Sequence, residues 1–331
     1  MDNFTHSLAG WALGQAGLKT KTRKGLAALI LGANMPDLDV FVSGGFPWEP
    51  LAIHRGFTHS LIGGIIVLPP VLFGFLMLLD RWQERRGKPF KSGLALHKGW
   101  LLALCNLGVL THPLLDLQTT YAVQLFTPFS GEWWHSDTLF IIDVWVWTLL
   151  AGSIAWSRWR EKRGREWKRP VQAAIGIFLA YLGLNSAITV SAVNSLPEVA
   201  TCDAPTIAFA SPPPAWSWRR DVAWRYASAR PPESWFVYNR AHYAPFSGWS
   251  KREAECSGRP DHMADPVVQK AIRNDPSLKR FLAWSVMPVA SIERGRCEAR
   301  VTIADYRYGD PDRGTSRINR ETVVPIAGPG C

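Results

Sequence analysis

His54-Arg55-Gly56-Phe57-Thr58-His59-Ser60, followed at once by the apolar run Leu61 to Leu79, is the stretch on which the rest of the chain turns. Two histidines, an arginine and two hydroxyls stand at the lip of a segment long enough to cross a bilayer. Ionisable groups at such an edge are costly unless they pair or bind something. Other His and Asp residues recur at edges of the same kind: His6, Asp37, Asp39, His112, Asp116, His135, Asp137 and Asp143. The expectation is that these edges meet in one metal site.

Working outward, the 331 residues divide by composition. Residues 1–193 are dominated by long apolar runs and read as a helical membrane domain. Residues 194–331 are polar and rich in Pro and Trp, and read as a smaller external α/β domain. The fold class expected is therefore mainly α, a multi-span helical membrane domain followed by that smaller domain.

Phe4 to Leu18 reads as a short helix capped near Asn3 or Thr5. Gly25 to Val42 reads as an apolar segment broken at Asn34-Met35-Pro36-Asp37-Leu38-Asp39, because Pro36 disfavours helix at the residue before it. Irregular backbone at membrane depth is tolerated inside protein or against a wet cavity, which suits a lining of a site. Ser43 to Pro50 reads as a Gly/Pro loop. Four spans are expected: Leu61 to Leu79, kinked at Pro69-Pro70, then Gly99 to Leu117, Thr138 to Trp156 and Val171 to Val193.

The net charge of +10 does not point to nucleic acid, because of where it sits. Lys19 to Lys24, Arg81 to Lys98 and Arg158 to Arg169 each abut an apolar run, as cytoplasmic loops do. The opposite loops, Ser43 to Ser60 and Gln118 to Asp137, hold Arg55 as their one basic residue. This asymmetry puts the polar edges outside a bacterial inner (cytoplasmic) membrane and the C-terminal domain in the periplasm. Met1-Asp2-Asn3 is no basic n-region, so no cleavable signal is expected. Cys202, Cys256, Cys297 and Cys331 then fall in an oxidising compartment, where two disulfides can form in three pairings. Cys105 lies within a span and reads as packing. In the external domain Ser234 to Tyr238 reads as a strand, Pro266 to Trp284 as one or two short helices, and Val286 to Ile292 with Cys297 to Tyr308 as a hairpin.

The chemistry follows from spacing. His112 and Asp116 stand at i, i+4 and share a helix face. Asp37 and Asp39 can aim at one place only if the backbone between them is not helical. His54 and His59 need a turn between them, which Gly56 can supply. Mixtures of His and carboxylate suit zinc, manganese or iron. Arg55 is placed to hold an anionic oxygen of substrate. Thr58 and Ser60 are placed to orient the histidines. One of Asp39, Asp137 or Asp143 would be the general base. Each residue also has a plainer reading: interfacial histidines, Asp37 and Asp39 capping a turn, and Asp137 capping the third span. Asp143 is the hardest to read so, since a carboxylate inside a span needs a partner. No Gly-rich phosphate loop, Gly-x-Ser-x-Gly or Cys-x-x-Cys occurs.

Met1 to Ser7, Ala33 to Asp39, His54 to Ser60, Thr111 to Asp116, and Phe126-Thr127-Pro128-Phe129 leading to Asp137 and Phe140-Ile141-Ile142-Asp143 together resemble the YdjM-type inner-membrane proteins. Those are described as membrane-bound metal-dependent hydrolases, distantly similar to zinc-dependent phospholipase C. The resemblance covers roughly Met1 to Trp156. It implies zinc, a phosphoester substrate, and His6, Asp37, His54, His59, His112 and Asp116 as metal ligands. The function expected is metal-dependent hydrolysis of a membrane-associated ester, a phospholipid phosphoester first, with membrane lipid as the partner. The alternative is a non-enzymatic membrane protein with a structural or sensing metal site and a partner-binding external domain.

Overall fold

The computed structural model describes residues 1–42, 54–87, 90, 92–199, 205–227, 236–249, 259–316, 318–326 and 331. The N-terminal half is mainly helical and the C-terminal part is built on β-sheets. The chain divides into two compact units. One takes residues 1–45, 53–187 and 213–217; the other takes 46–52, 188–212 and 218–331.

In the first unit, α1 (Asn3–Gln15) begins where the Asp2 carboxylate accepts from the Phe4 and Thr5 amides. The cap is thus Asp2 rather than Asn3 or Thr5. α2 (Gly25–Asn34) stops before Pro36, and Pro36–Leu38 forms one 3-10 turn that leads into α3 (Asp39–Val42). This is the break expected from Pro36, and it carries Asp37 and Asp39 off the helical path. Phe57–His59 is a second 3-10 turn, and Ser60 caps the π-helical stretch Leu61–Val67. α4 (Leu68–Arg85) continues from it. Pro69 and Pro70 fall where the π-helical stretch gives way to α4, in its first turn.

α5 (Lys98–Asp116), α6 (Val144–Lys162) and α7 (Lys168–Val199) complete the helices of this half. α2 lies between α1 and α5 at very short range. A Cβ on Gly10 would stand 2.6 Å from the Leu29 carbonyl oxygen, and one on Gly108 would stand 2.8 Å from the same atom. Small residues let helix backbones approach in this way, which is how helices associate where no hydrophobic effect drives them together. Ala28, Leu29, Leu72, Leu76, Leu101, Leu104 and Cys105 fill the space between α2, α4 and α5. Leu8, Ala12, Val146, Leu150 and Ile154 join α1 to α6.

Among the described residues, two helices are long and apolar enough to cross a membrane: Leu61–Arg85, including the π-helical lead, and Lys168–Leu196. Val71, Phe75 and Leu78 on the first and Ile177, Leu179 and Leu184 on the second are exposed, as lipid-facing side chains would be. Of the four spans expected, two thus correspond to helices that qualify as candidates by length and composition. α6 begins at Val144 rather than Thr138 and ends in Arg158-Trp159-Arg160-Glu161-Lys162. Its apolar part is about 14 residues, or roughly 21 Å, short of a hydrocarbon core of about 30 Å. α5 carries His112 and Asp116 and turns Leu101, Leu104, Cys105, Val109 and Leu115 inward.

At the end of the bundle where α4 and α6 finish and α5 and α7 begin, α4, α5 and α6 each carry a tryptophan beneath a cation, and a fourth, Trp167, directly precedes α7. Arg86 lies over Trp82 at 5.4 Å, Lys21 over Trp100 at 5.0 Å, Arg163 over Trp159 at 4.1 Å and Lys19 over Trp167 at 4.3 Å. The segment after α1 ties this end together. Lys19 pairs with Glu161 of α6, and Arg23 pairs with Asp80 and Glu84 of α4 at 2.6 and 2.7 Å.

In the second unit, β1 (Ile207–Ser211), β2 (Arg220–Ala227) and β3 (Phe236–Ala244) form an antiparallel sheet, and β4 (Gly248–Trp249) and β5 (Arg259–Pro260) both pair with β3. Two helices follow, α8 (Pro266–Asn274) and α9 (Pro276–Trp284), each capped by an aspartate. A meander of β6 (Pro288–Arg294), β7 (Glu298–Asp305) and β8 (Asn319–Pro325) closes the unit. Phe209, Ala223 and Tyr238 from the first sheet meet Met287, Val289, Ala304 and Tyr306 from the second segment in one core. Cys297 and Cys331 are disulfide-bonded, while Cys105 is a free, buried thiol. Cys202 and Cys256, Ser43 to Pro50 and Ser234-Trp235 lie outside the described residues.

Candidate metal centre

Four separated stretches deliver six side chains to one place. His6 comes from the first turns of α1, Asp37 from the 3-10 turn after α2, and His54 and His59 from the turn before α4. His112 and Asp116 come from the last turn of α5. The turn between His54 and His59 is made by Arg55, whose φ of 66° is left-handed, and its carbonyl accepts from the Gln124 amide at 2.9 Å. Gly56 follows it with a negative φ.

The distances are short. Asp37 Oδ1 stands 3.2 Å from His112 Nε2, 3.3 Å from His59 Nε2 and 3.8 Å from His54 Nε2. The two Nε2 atoms of His59 and His112 are 3.0 Å apart. Asp116 Oδ2 lies 3.5 Å from His59 Nε2 and 3.6 Å from His112 Nε2, and its Oδ1 lies 3.4 Å from His6 Nε2. The His6 and His112 rings stack with centroids 3.7 Å apart. The Met1 amino group and, at 3.5 Å, Arg55 Nη2 also face Asp116 Oδ1. His6, His59, His112 and Asp116 are buried; Asp37 and His54 keep 13% and 19% of their side-chain surface, so the cluster opens on their side.

Electrostatics favour lone pairs over protons here. Burial holds the His6 and His59 imidazoles well below their ordinary pKa, so both are neutral near pH 7. His112 gives its Nδ1 proton to the Ala33 carbonyl at 2.7 Å, which leaves Nε2 bare. Both ring nitrogens of His6 and Oδ2 of Asp116 are buried without a hydrogen-bond partner among the described residues, while Asp116 Oδ1 is met by the Met1 amino group and Arg55. Buried polar atoms in that state are costly unless something else satisfies them. Neutral imidazole and carboxylate are the forms that ligate a metal. Donors about 2.0–2.1 Å from a tetrahedral ion stand about 3.3 Å from one another. The spacings of His59 and His112 from one another and from Asp37 and Asp116 run from 3.0 to 3.6 Å. These His and Asp groups could hold a metal ion.

The other residues singled out by sequence are employed differently. Asp39 accepts from His54 Nδ1 at 2.8 Å through one oxygen and from the Thr58 hydroxyl at 2.5 Å through the other. Asp143, expected as a base or as a lone buried carboxylate, is the N-cap of α6. It accepts from the Trp145 and Val146 amides and from the Tyr181 hydroxyl at 2.9 Å. Asp137 pairs with His135 Nδ1 at 3.0 Å and is not the cap expected of it. Arg55 is buried, facing Asp116 and lying over the Tyr121 ring at 5.2 Å. Ser60 caps the π-helical stretch through Gly63 rather than touching a histidine. Sequence reading missed the Ala33 carbonyl; a backbone acceptor just before a helix break carries no side-chain signal.

A helical bundle with two membrane-length helices and a buried His/Asp cluster away from its tryptophan-and-cation end is the class these observations define. Residues 1–192 match the YdjM inner membrane protein family, and the chain belongs to it. It is also similar to an uncharacterized protein, YfhP, of Bacillus subtilis (strain 168), with 28% identity over 146 residues. That alignment takes in 40% of this chain and 39% of YfhP, so the chain spans about two fifths of its relative's length. No solved structure matches.

Proposed function

We propose that this protein is a membrane-bound, metal-dependent hydrolase acting on a membrane-associated ester, with a phospholipid phosphoester the substrate class tested first. The observation that carries the reading is that Asp37 Oδ1 and Asp116 Oδ2 each stand 3.2 to 3.6 Å from both His59 Nε2 and His112 Nε2, which are themselves 3.0 Å apart, close to the edge of a metal's coordination tetrahedron. His6 and His54 complete the donor set. Zinc suits this mixture of imidazole and carboxylate. Bound there, a divalent ion supplies Lewis acidity toward a phosphoryl or carbonyl oxygen and acidifies water. The chain's own part is to keep the imidazoles neutral by burial and to leave the Asp37 and His54 side open to substrate. Arg55 is held at the cluster by Asp116, where its guanidinium can meet an anionic oxygen. Of the three carboxylates considered as general base, Asp143 serves as a cap. Asp137, with its His135 partner, is the one we propose for that role.

The setting we propose is a multi-pass protein whose tryptophan-and-cation end lies at the cytoplasmic headgroup layer, since basic residues and interfacial tryptophans favour that level. The metal cluster then faces the periplasm, and so does the domain after α7. The Cys297–Cys331 disulfide supports an oxidising compartment for that domain. Detergent-purified protein reconstituted with zinc should hydrolyse a phospholipid and lose that activity to a chelator. Stoichiometric metal without hydrolysis of any lipid ester tested would reject the enzyme and leave a structural or sensing metal site. Alkaline phosphatase fused after residue 331 should be active; an inactive fusion would reject the periplasmic placement.

A further inference from the structure

Three imidazoles point one nitrogen at Asp37, and in each the other nitrogen is engaged by an oxygen. For His112 that oxygen is the Ala33 carbonyl, which can only accept. For His54 it is Asp39 Oδ1 at 2.8 Å. A carboxylate is also acceptor-only, so His54 Nδ1 must carry the proton. For His59 the engagement runs through a hydroxyl. Thr58 Oγ1 lies 2.5 Å from Asp39 Oδ2 and 3.0 Å from His59 Nδ1. Its one proton goes to the carboxylate, so its lone pair receives the proton of His59 Nδ1. These directions put a proton on each Nδ1, so in the neutral imidazole Nε2 is the bare atom.

We infer that Asp39 is a positioning residue of the metal centre, fixing two of its imidazoles at once: His54 directly and His59 through Thr58. The inference rests on the metal-binding reading above and gives Asp39 a holding role in place of the general base considered for it. Each oxygen already accepts from one partner, so taking a proton from water would weaken its hold on His54 or on Thr58. The two-residue spacing in Pro36-Asp37-Leu38-Asp39 acquires a division of labour. On the 3-10 turn and the start of α3, Asp37 faces the cluster and Asp39 faces the outer nitrogens of the same rings. Partners of this kind fix ring orientation and raise ligand basicity, and losing one costs about 10–100-fold in metal affinity.

The test uses full-length protein in detergent, with Zn²⁺ affinity measured by chelator competition and the visible spectrum of the Co²⁺ form. Asp39→Asn keeps the shape but exchanges one acceptor for a donor, so one of the two partners faces a donor. It should lower Zn²⁺ affinity by about 10–100-fold, alter the Co²⁺ spectrum, and leave the ion-to-protein ratio at saturation unchanged. His59→Ala should lower that ratio or abolish binding. Thr58→Val should weaken affinity by breaking the relay to His59, and Thr58→Ser, which restores the hydroxyl, should recover wild-type behaviour. That Thr58 pair also carries the test if Asp39→Asn does not fold. Asp39→Asn or Thr58→Val with wild-type affinity and spectrum would overturn the assignment while leaving the metal centre standing. A wild type that binds no Zn²⁺ would overturn the metal reading and this inference with it.

Discussion

Substituting Gly108 by alanine should reach the metal centre without touching any of its residues. The new Cβ would stand 2.8 Å from the Leu29 carbonyl oxygen and 2.9 Å from that of Ala28, both backbone atoms that cannot swing aside. Ordinary contact begins at 3.4 Å, so α5 must retreat from α2 by about 0.6 Å. His112 lies one turn further along α5, and its Nδ1 is 2.7 Å from Ala33 O on the facing end of α2. A rigid retreat would stretch that bond to roughly 3.3 Å, beyond the usual 2.7–3.2 Å for an N–H···O bond. Overpacking of this kind costs about 1–3 kcal/mol, against about 0.5–1 kcal/mol gained by replacing a helical glycine. A net loss near 1–2 kcal/mol should lower the melting temperature by several degrees. Loosening the holder of His112 should weaken zinc affinity by about tenfold. The control is Gly152→Ala on α6, where an added Cβ meets nothing within 4 Å, and which should be neutral or slightly stabilising. Thermal unfolding in detergent and chelator competition read the two effects. Gly108→Ala melting and binding like Gly152→Ala would refute the close-approach argument.

His112→Ala should abolish stoichiometric metal by elemental analysis, whereas Asp143→Ala should leave metal content unchanged and cost about 1 kcal/mol through the lost α6 cap. The Cys297–Cys331 bond closes a loop with a sequence separation of 34. Its reduction should cost the second unit about 3–4 kcal/mol on the chain-entropy account, visible as a separate, earlier unfolding step. Asp305 is fully buried; burial raises its pKa, but the Arg307 charge and hydrogen bonds outweigh that and hold it below the ordinary carboxylate value. A depressed folded pKa means that its stabilisation is complete above the unfolded value of about 3.9 and is lost as pH falls through the folded value. The second unit should therefore melt lower in acid, and Asp305→Asn should flatten that acid limb in calorimetry.

The helical part and the gathering of polar residues were legible because their signals are local. Pro36 announced the break after α2, and the i, i+4 spacing placed His112 and Asp116 on one face. The remainder depended on distance along the chain. Asp143 reads as an expensive carboxylate until the Tyr181 hydroxyl, 38 residues on, is brought to it. Asp80, inside the basic end of α4, is neutralised by Arg23, 57 residues earlier. α8, α9 and the β6–β7 hairpin were visible from caps and alternation, while β1, β2 and β8 were not. Their pairings join residues 10 to 27 apart, and only the partner strand defines them. Asp39 could be assigned a charge from sequence but not a direction, and direction is what separates a base from a holder.

The scatter of the six metal-facing residues sets an order on biogenesis. The first is at position 6 and the last at position 116, so a chain emerging and inserting from its N-terminus holds incomplete binding shells until α5 has entered. Until then α1, the α2–α3 break and the turn before α4 carry exposed histidines and carboxylates with nothing to gather them. On the metal-binding reading proposed above, ion capture would be a late, sealing event that reports completion of the N-terminal bundle. Scarcity of the ion would be felt as a failure of maturation before it was felt as a loss of turnover.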